Sequence, residues 1–174
     1  MANFKEIKTT ELQGNPFQMI GKDWMLVTAK HGDKVNTMTA SWGGVGVLWG
    51  ADVVYLFIRK TRYTKEFIDA SDSFSLTFYD ENQRKNLSYL GTVSGRDEDK
   101  IAKVGYHVEL DNDIPYFAEA KTVLLCKKMS KHPITMEGLI APEIFPKWYT
   151  GEANGENYHD MYVGKIEKVL VAED

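Results

Sequence analysis

The sequence predicts an α+β domain that is mainly β. Three observations predict it. Segments of five to nine residues with strand character recur along most of the chain, and one of them, Val53–Ile58, is apolar at every position, as a strand covered on both faces requires. Turn signals punctuate these segments at Gly32-Asp33 and Asp111-Asn112-Asp113. The helical stretches between them are short and lie in polar surroundings, as expected of helices outside a sheet. A length of 174 residues suits one domain over residues 1–174.

Residues 1–20 are mixed and polar, with Gly14-Asn15-Pro16 as a turn, and lead into the sheet. Trp24–Ala29 reads as a strand, Lys30–Lys34 as a hairpin turn and Val35–Ser41 as the return strand. On that strand Thr37, Thr39 and Ser41 share one face and Met38 and Ala40 the other. Gly43–Gly50 reads as a glycine-rich turn before the strand Val53–Ile58. Arg62–Ala70 is a short helix with Thr61 as its N-cap. Phe74–Phe78 alternates as a half-buried strand. Glu81–Tyr89 is helical, Leu90–Gly95 interrupts it, and Asp97–Val104 forms a helix whose charges match the helix dipole. A short strand at His107–Leu110, a long one within Tyr116–Met129 and a closing strand from Tyr158 to Val171, with a bulge at Gly164, complete the sheet. Pro133–Pro146 is an irregular apolar insertion, read either as a flap over a ligand or as a dimer contact. Gly151–Asn157 is a polar loop.

Composition narrows the function. Hydrophobic residues make up 43% and charged residues 26%, with a net charge of −4. That is an ordinary globular composition and argues against nucleic acid as a partner. No apolar run approaches the roughly 20 residues a membrane span needs, and the N-terminus lacks a signal-peptide core, so the expectation is a cytoplasmic protein with no membrane partner. The single cysteine, Cys126, lies in an apolar run and reads as inert core. His31, His107, His132 and His159 do not stand at metal-ligand spacing, so no metal is expected. There is no Gly-x-Ser-x-Gly elbow, and Gly43-Gly44-Val45-Gly46 lacks dinucleotide-binding spacing.

The informative stretch is Asn36–Thr64. Hydroxyl residues come first, then glycines, then the apolar strand, and then Arg59-Lys60-Thr61-Arg62-Tyr63-Thr64. Two guanidinium groups with two hydroxyls at a strand end suit a phosphate, and a following helix start adds unpaired N–H groups. Trp42, Trp49 and Tyr63 suit a flat partner. Phosphate and flat body together describe a nucleotide-like cofactor. No catalytic acid–base pair stands out.

The blocks Asn36–Trp42 and Arg59–Thr64, followed by Ser94-Gly95-Arg96-Asp97-Glu98-Asp99-Lys100 and by Tyr158-His159-Asp160-Met161-Tyr162-Val163-Gly164, are similar to the motifs of the flavin reductase-like family, in order and spacing from Trp24 to Val171. The resemblance implies a six- or seven-stranded Greek-key FMN-binding split barrel with short peripheral helices. It implies FMN as the cofactor, NAD(P)H or an electron-acceptor protein as partner, and a homodimer with the flavin near the subunit interface. It places Thr37, Met38, Thr39, Ala40, Ser41 and Trp42 along the ring, Arg59, Thr61, Arg62, Tyr63 and Thr64 at the phosphate, and Ser94, Gly95, Arg96 and Lys100 against the same cofactor. The expected activity is hydride transfer from nicotinamide to the flavin N5, with a flavoredoxin-like electron carrier and a non-redox binder of a phosphorylated ligand as alternatives.

Overall fold

The computed structural model describes residues 3–150 and 157–173; the residues of the predicted polar loop before Asn157 lie outside them. Ten strands occur among the described residues: β1 (Phe4–Ile7), β2 (Met25–His31), β3 (Lys34–Ala40), β4 (Gly43–Leu48), β5 (Ala51–Arg59), β6 (Ser73–Phe78), β7 (Val108–Asp111), β8 (Ile114–Phe117), β9 (Thr122–Pro133) and β10 (His159–Ala172). The α-helices are short: α1 (Pro16–Gln18), α2 (Tyr63–Ala70), α3 (Arg84–Thr92), α4 (Lys100–Val104) and α5 (Ile144–Trp148). The main sheet runs β3-β2-β6-β9-β10-β5-β4, with β1 added to β10 and β7-β8 as a separate hairpin. Every pairing is antiparallel.

Simple distances show that this sheet is rolled. Seven strands laid flat span about 29 Å at ~4.8 Å per strand. The two end strands, β3 and β4, are joined only by Ser41 and Trp42, a link that reaches no more than about 11 Å between Cα atoms. The ends must therefore lie side by side, with a seam between them that carries no ladder. Two tight turns fix the β2–β3 and β4–β5 registers on either side of that seam. Gly32 takes a φ of 60° between His31 and Lys34, and the β4–β5 hairpin turns on Trp49 and Gly50 at φ 51° and 69°, the left-handed pair that two-residue hairpins favour.

Packing explains the apolar strands. Met25, Val27 and Ala29 of β2 join Leu124 and Cys126 of β9 in one core, while Leu26, Val123 and Leu125 join Leu87 and Leu90 of α3 and Phe117 of β8 in a second. The first is the barrel interior and the second lies between the sheet and its covering elements. Both faces of the central strands are thus buried, which is why the two-residue polar alternation is missing.

Four expectations are corrected. Gly43–Leu48 is a strand, not a turn: its glycines let β4 lie flush on β5, where a Cβ on Gly43 would come to 2.7 Å from the Tyr55 carbonyl oxygen. The N-cap of α2 is Arg62, without a side-chain capping bond; Thr61 Oγ1 instead donates to Asn157 Oδ1 at 3.0 Å. The long strand expected within Tyr116–Met129 is present as β9 but runs on to Pro133, while Tyr116 and Phe117 belong to β8, the Ala120 amide turning back on the Phe117 carbonyl at 3.1 Å between the two. The main sheet has eight strands rather than six or seven, since Phe4-Lys5-Glu6-Ile7, which carries no strand pattern of its own, pairs with the end of β10. The predicted bulge is present: the β9–β10 register shifts between Val163 and Gly164.

Candidate cofactor site

Five of the fifteen predicted residues, Thr39, Ala40, Ser41, Trp42 and Arg62, line two cavities at the β3 end of the seam. Thr39, Ala40 and Ser41 from β3 and its end, Arg62 from the start of α2, and Gly91 and Thr92 from the end of α3 line a cavity of about 230 Å³ with Trp24 at one side. Ser41 also borders a second, mostly apolar cavity of about 460 Å³, walled by Phe17 and Ile20 and floored by Trp42, Gly43 and Gly44. The two openings meet at Ser41, one beside a guanidinium and the other among apolar side chains.

The hydroxyl row of β3 is not a solvated edge. Thr37 is fully buried and donates to the Val27 carbonyl at 3.0 Å, beside Thr28 Oγ1 at 2.9 Å. Thr39 Oγ1 donates to the Leu87 carbonyl at 2.5 Å, which ties β3 to α3. Met38 lies in the barrel core. Trp42 is partly exposed and stands edge-on to Trp148 at 4.8 Å and tilted against His159 at 5.0 Å.

The four predicted cations have different partners. Arg62 donates to the Gly91 carbonyl at 3.0 Å and, weakly, to the Thr39 carbonyl at 3.5 Å. Arg59 turns the other way and donates to the carbonyls of Trp148 and Asn157, both at 3.1 Å. Arg96 is paired with Glu66 and lies over the Tyr63 ring at 4.6 Å. Lys100 is buried and donates to the carbonyls of Leu90 and Val93 at 2.6 and 2.8 Å, closing the end of α3. Its distance from the seam is bridged by α3: Lys100 holds the helix end that presents Gly91 to Arg62.

Tyr63, Gly95 and Lys100 border a separate groove of about 380 Å³ with Asn36. Asn36 Nδ2 donates to Thr64 Oγ1 at 2.9 Å, and both residues are buried. Gly95 packs so closely on the Asn36 amide that a Cβ there would collide with its oxygen. Ser94 Oγ accepts from the Arg96 amide at 3.2 Å. The second motif therefore meets the first at the start of α2.

Among the described residues no carboxylate lies within ion-pair distance of Arg59, Arg62 or Lys100. Their positive field is visible in their neighbours. Burial and then Arg62 push Lys100 down to about 8, burial and then Arg59 push His159 down to about 4, and burial followed by Arg59 lowers Arg62 itself. Half-buried cations facing only carbonyl dipoles leave net positive charge at the seam, the chemistry an anionic group completes. Arg62 beside Thr39 and Ser41 thus fits a phosphorylated cofactor.

Sequence reading gave Trp42 a role at the aromatic end of the seam but none to His159 or Tyr149. The pairing of β5 with β10 sets His159 opposite Arg59, and His159 Nδ1 meets the Tyr149 hydroxyl at 2.9 Å. The signal for His159 was the motif around Tyr158–Gly164, whose partner strand no local pattern identifies. No group of three or more His, Cys, Asp or Glu able to hold a metal occurs among the described residues, and no helix there is long and apolar enough to cross a membrane.

The rolled antiparallel sheet is a fold shared with solved structures. Residues 18–174 match the model of the flavin reductase like domain, and the chain belongs to that family. Its fold is similar to an FMN-binding domain of a flavin reductases-like enzyme from Shewanella baltica OS155, at 17% identity over 98% of this chain and 78% of that one, with a TM-score of 0.69. It is also similar to the flavoredoxin of Methanosarcina acetivorans (23% identity, 84% and 67% covered, TM-score 0.64) and that of Desulfovibrio vulgaris Miyazaki F (22% identity, 86% and 69% covered, TM-score 0.65). A search of curated proteins returns no match.

Proposed function

We propose that the protein is a cytoplasmic, homodimeric, FMN-binding NAD(P)H:flavin oxidoreductase. The observation that carries the reading is Arg62, a half-buried guanidinium with no carboxylate partner among the described residues, beside the Thr39–Ser41 rim, in a chain of the flavin reductase-like family. Arg62 and the first-turn amides of α2 take the phosphate, Ser41 and Trp42 meet the ring edge, and the apolar cavity beside Gly43 and Gly44 excludes water from one ring face. Lys100 and Gly95 act indirectly, through α3 and Asn36. Bound FMN would supply the two-electron chemistry and accept the hydride of a nicotinamide; the chain itself needs no general base. The exposed Val47 of the free edge strand β4 and Trp49 in the turn after it are the apolar surface a second copy would cover.

The purified protein is expected to quench FMN fluorescence at lower concentration than riboflavin fluorescence, because only FMN completes the cation site. Equal affinity for the two removes the phosphate argument. Steady-state NADH or NADPH oxidation with added free flavin then separates a reductase from a flavoredoxin-like carrier: the carrier reading predicts bound FMN without such turnover.

A further inference from the structure

The segment Ile134–Tyr149 follows β9 and returns to β10, crossing the aromatic end of the seam. It has the physical character of a cover rather than of a core element. No residue from Ile134 to Trp148 is buried, and Met136 and Ile140 are exposed. Segments with few buried apolar contacts open at low free energy. Its hold on the barrel is concentrated at its two ends. The Ile134 amide donates to the His159 carbonyl at 2.9 Å. At the other end Arg59 donates to the Trp148 carbonyl, the Tyr149 hydroxyl meets His159 Nδ1, and Trp148 stands against Trp42. Arg59 also holds the Asn157 carbonyl on the far side of the loop.

We propose that Ile134–Tyr149 is a lid over the Trp42–His159 end of the seam, latched shut by Arg59, and that it opens to admit the flat ring that exchanges electrons with the cofactor. Arg59 is then a positioning residue, whereas Arg62 remains the phosphate ligand. The division follows from direction: Arg62 points to α3 and β3, and Arg59 points to the lid. Behind the lid lie the indole of Trp42 and a neutral imidazole, a surface that stacks with a flat aromatic ring. What the lid covers rests on the flavoprotein reading; the latch itself does not.

Hydrogen exchange resolved by mass spectrometry over residues 134–149 tests the latch on the full chain. Arg59→Met is expected to raise exchange of that segment about tenfold while leaving β2, β6 and β9 unchanged, since the charge-assisted bond to the Trp148 carbonyl is lost. Tyr149→Phe, which keeps the ring and removes one bond, is expected to act in the same direction and guards against a misfolded arginine variant. Unchanged exchange in both variants overturns the proposal. Exchange in the wild type that slows with protein concentration, with no response to Arg59→Met, also overturns it, because the segment is then held by a second copy. FMN binding is followed in the same samples by fluorescence quenching. Failure to bind FMN removes the functional reading and leaves the variant comparison to decide the latch.

Discussion

Arg62→Ala is expected to weaken FMN binding roughly tenfold to a hundredfold, the equivalent of one charge-assisted hydrogen bond of about 1.5–3 kcal/mol. Lys60→Ala is expected to change it far less, because Lys60 is exposed in the turn beyond β5 and its charge is screened. Dissociation constants at one salt concentration compare the two, and a worse Lys60 variant would place the phosphate on the opposite side of the turn. Gly164 offers a second residue-scale test. A Cβ there would lie 2.6 Å from the Phe74 ring and 3.3 Å from Cys126 Cβ, inside the barrel core, so Gly164→Ala is expected to cost about 1–3 kcal/mol in urea unfolding. Cys126 itself is fully buried, and burial pushes its thiol well above the usual range. Cys126→Ser should therefore leave flavin reduction within a few-fold of wild type. Complete loss of turnover in a folded, FMN-loaded variant would make the thiol part of the chemistry.

At the scale of elements, the strands that meet at His159 carry a pH dependence. The imidazole is buried in the β5–β10 ladder next to Arg59, and its folded value of about 4 lies below the ordinary 6.5. Between those values the unfolded chain binds a proton that the folded chain refuses, so stability rises with pH across that window. The contribution is fully present above about 6.5 and is lost as pH falls through 4, amounting to as much as ~3 kcal/mol. His159→Gln is expected to flatten the unfolding free energy between pH 4 and 6.5, measured against wild type. A parallel pair of curves would show that the histidine titrates normally. The end of α3 behaves similarly at alkaline pH. The folded value of Lys100, about 8, is depressed first by burial and then by Arg62, so its proton is a burden relieved as pH rises above 8, and Lys100→Met should remove that gain.

For the whole molecule, a ligand that binds only the rolled sheet stabilises all of it. FMN at one hundred times its dissociation constant is expected to add about 2.7 kcal/mol to unfolding and to raise the melting temperature, with riboflavin at the same concentration adding less. A melting temperature indifferent to FMN would mean that the seam is not where the cofactor sits. Closure explains why local changes should be felt globally: β3 and β4 meet only through Ser41 and Trp42, so any group that spans the seam joins the two ends of the sheet.

What the sequence determined by itself was local. The hairpin at Gly32-Asp33, the doubly covered strand Val53–Ile58, the bulge at Gly164 and the cation-rich stretch Arg59–Thr64 are all written in side-chain period, turn chemistry and charge over a few neighbouring residues. β4 and β1 were not legible, because a glycine-rich edge and a charged four-residue segment become strands only when β5 and β10 offer them a ladder. The site divided in the same way. Its residue types were readable, but two arginines three positions apart look equivalent in a sequence. Only the tertiary structure decided that Arg62 turns to the carbonyls of α3 and β3 while Arg59 turns to Trp148 and Asn157. The direction of a side chain at a strand end is set by partners from distant parts of the chain, and pairing across a rolled sheet is what brings those partners within hydrogen-bond reach.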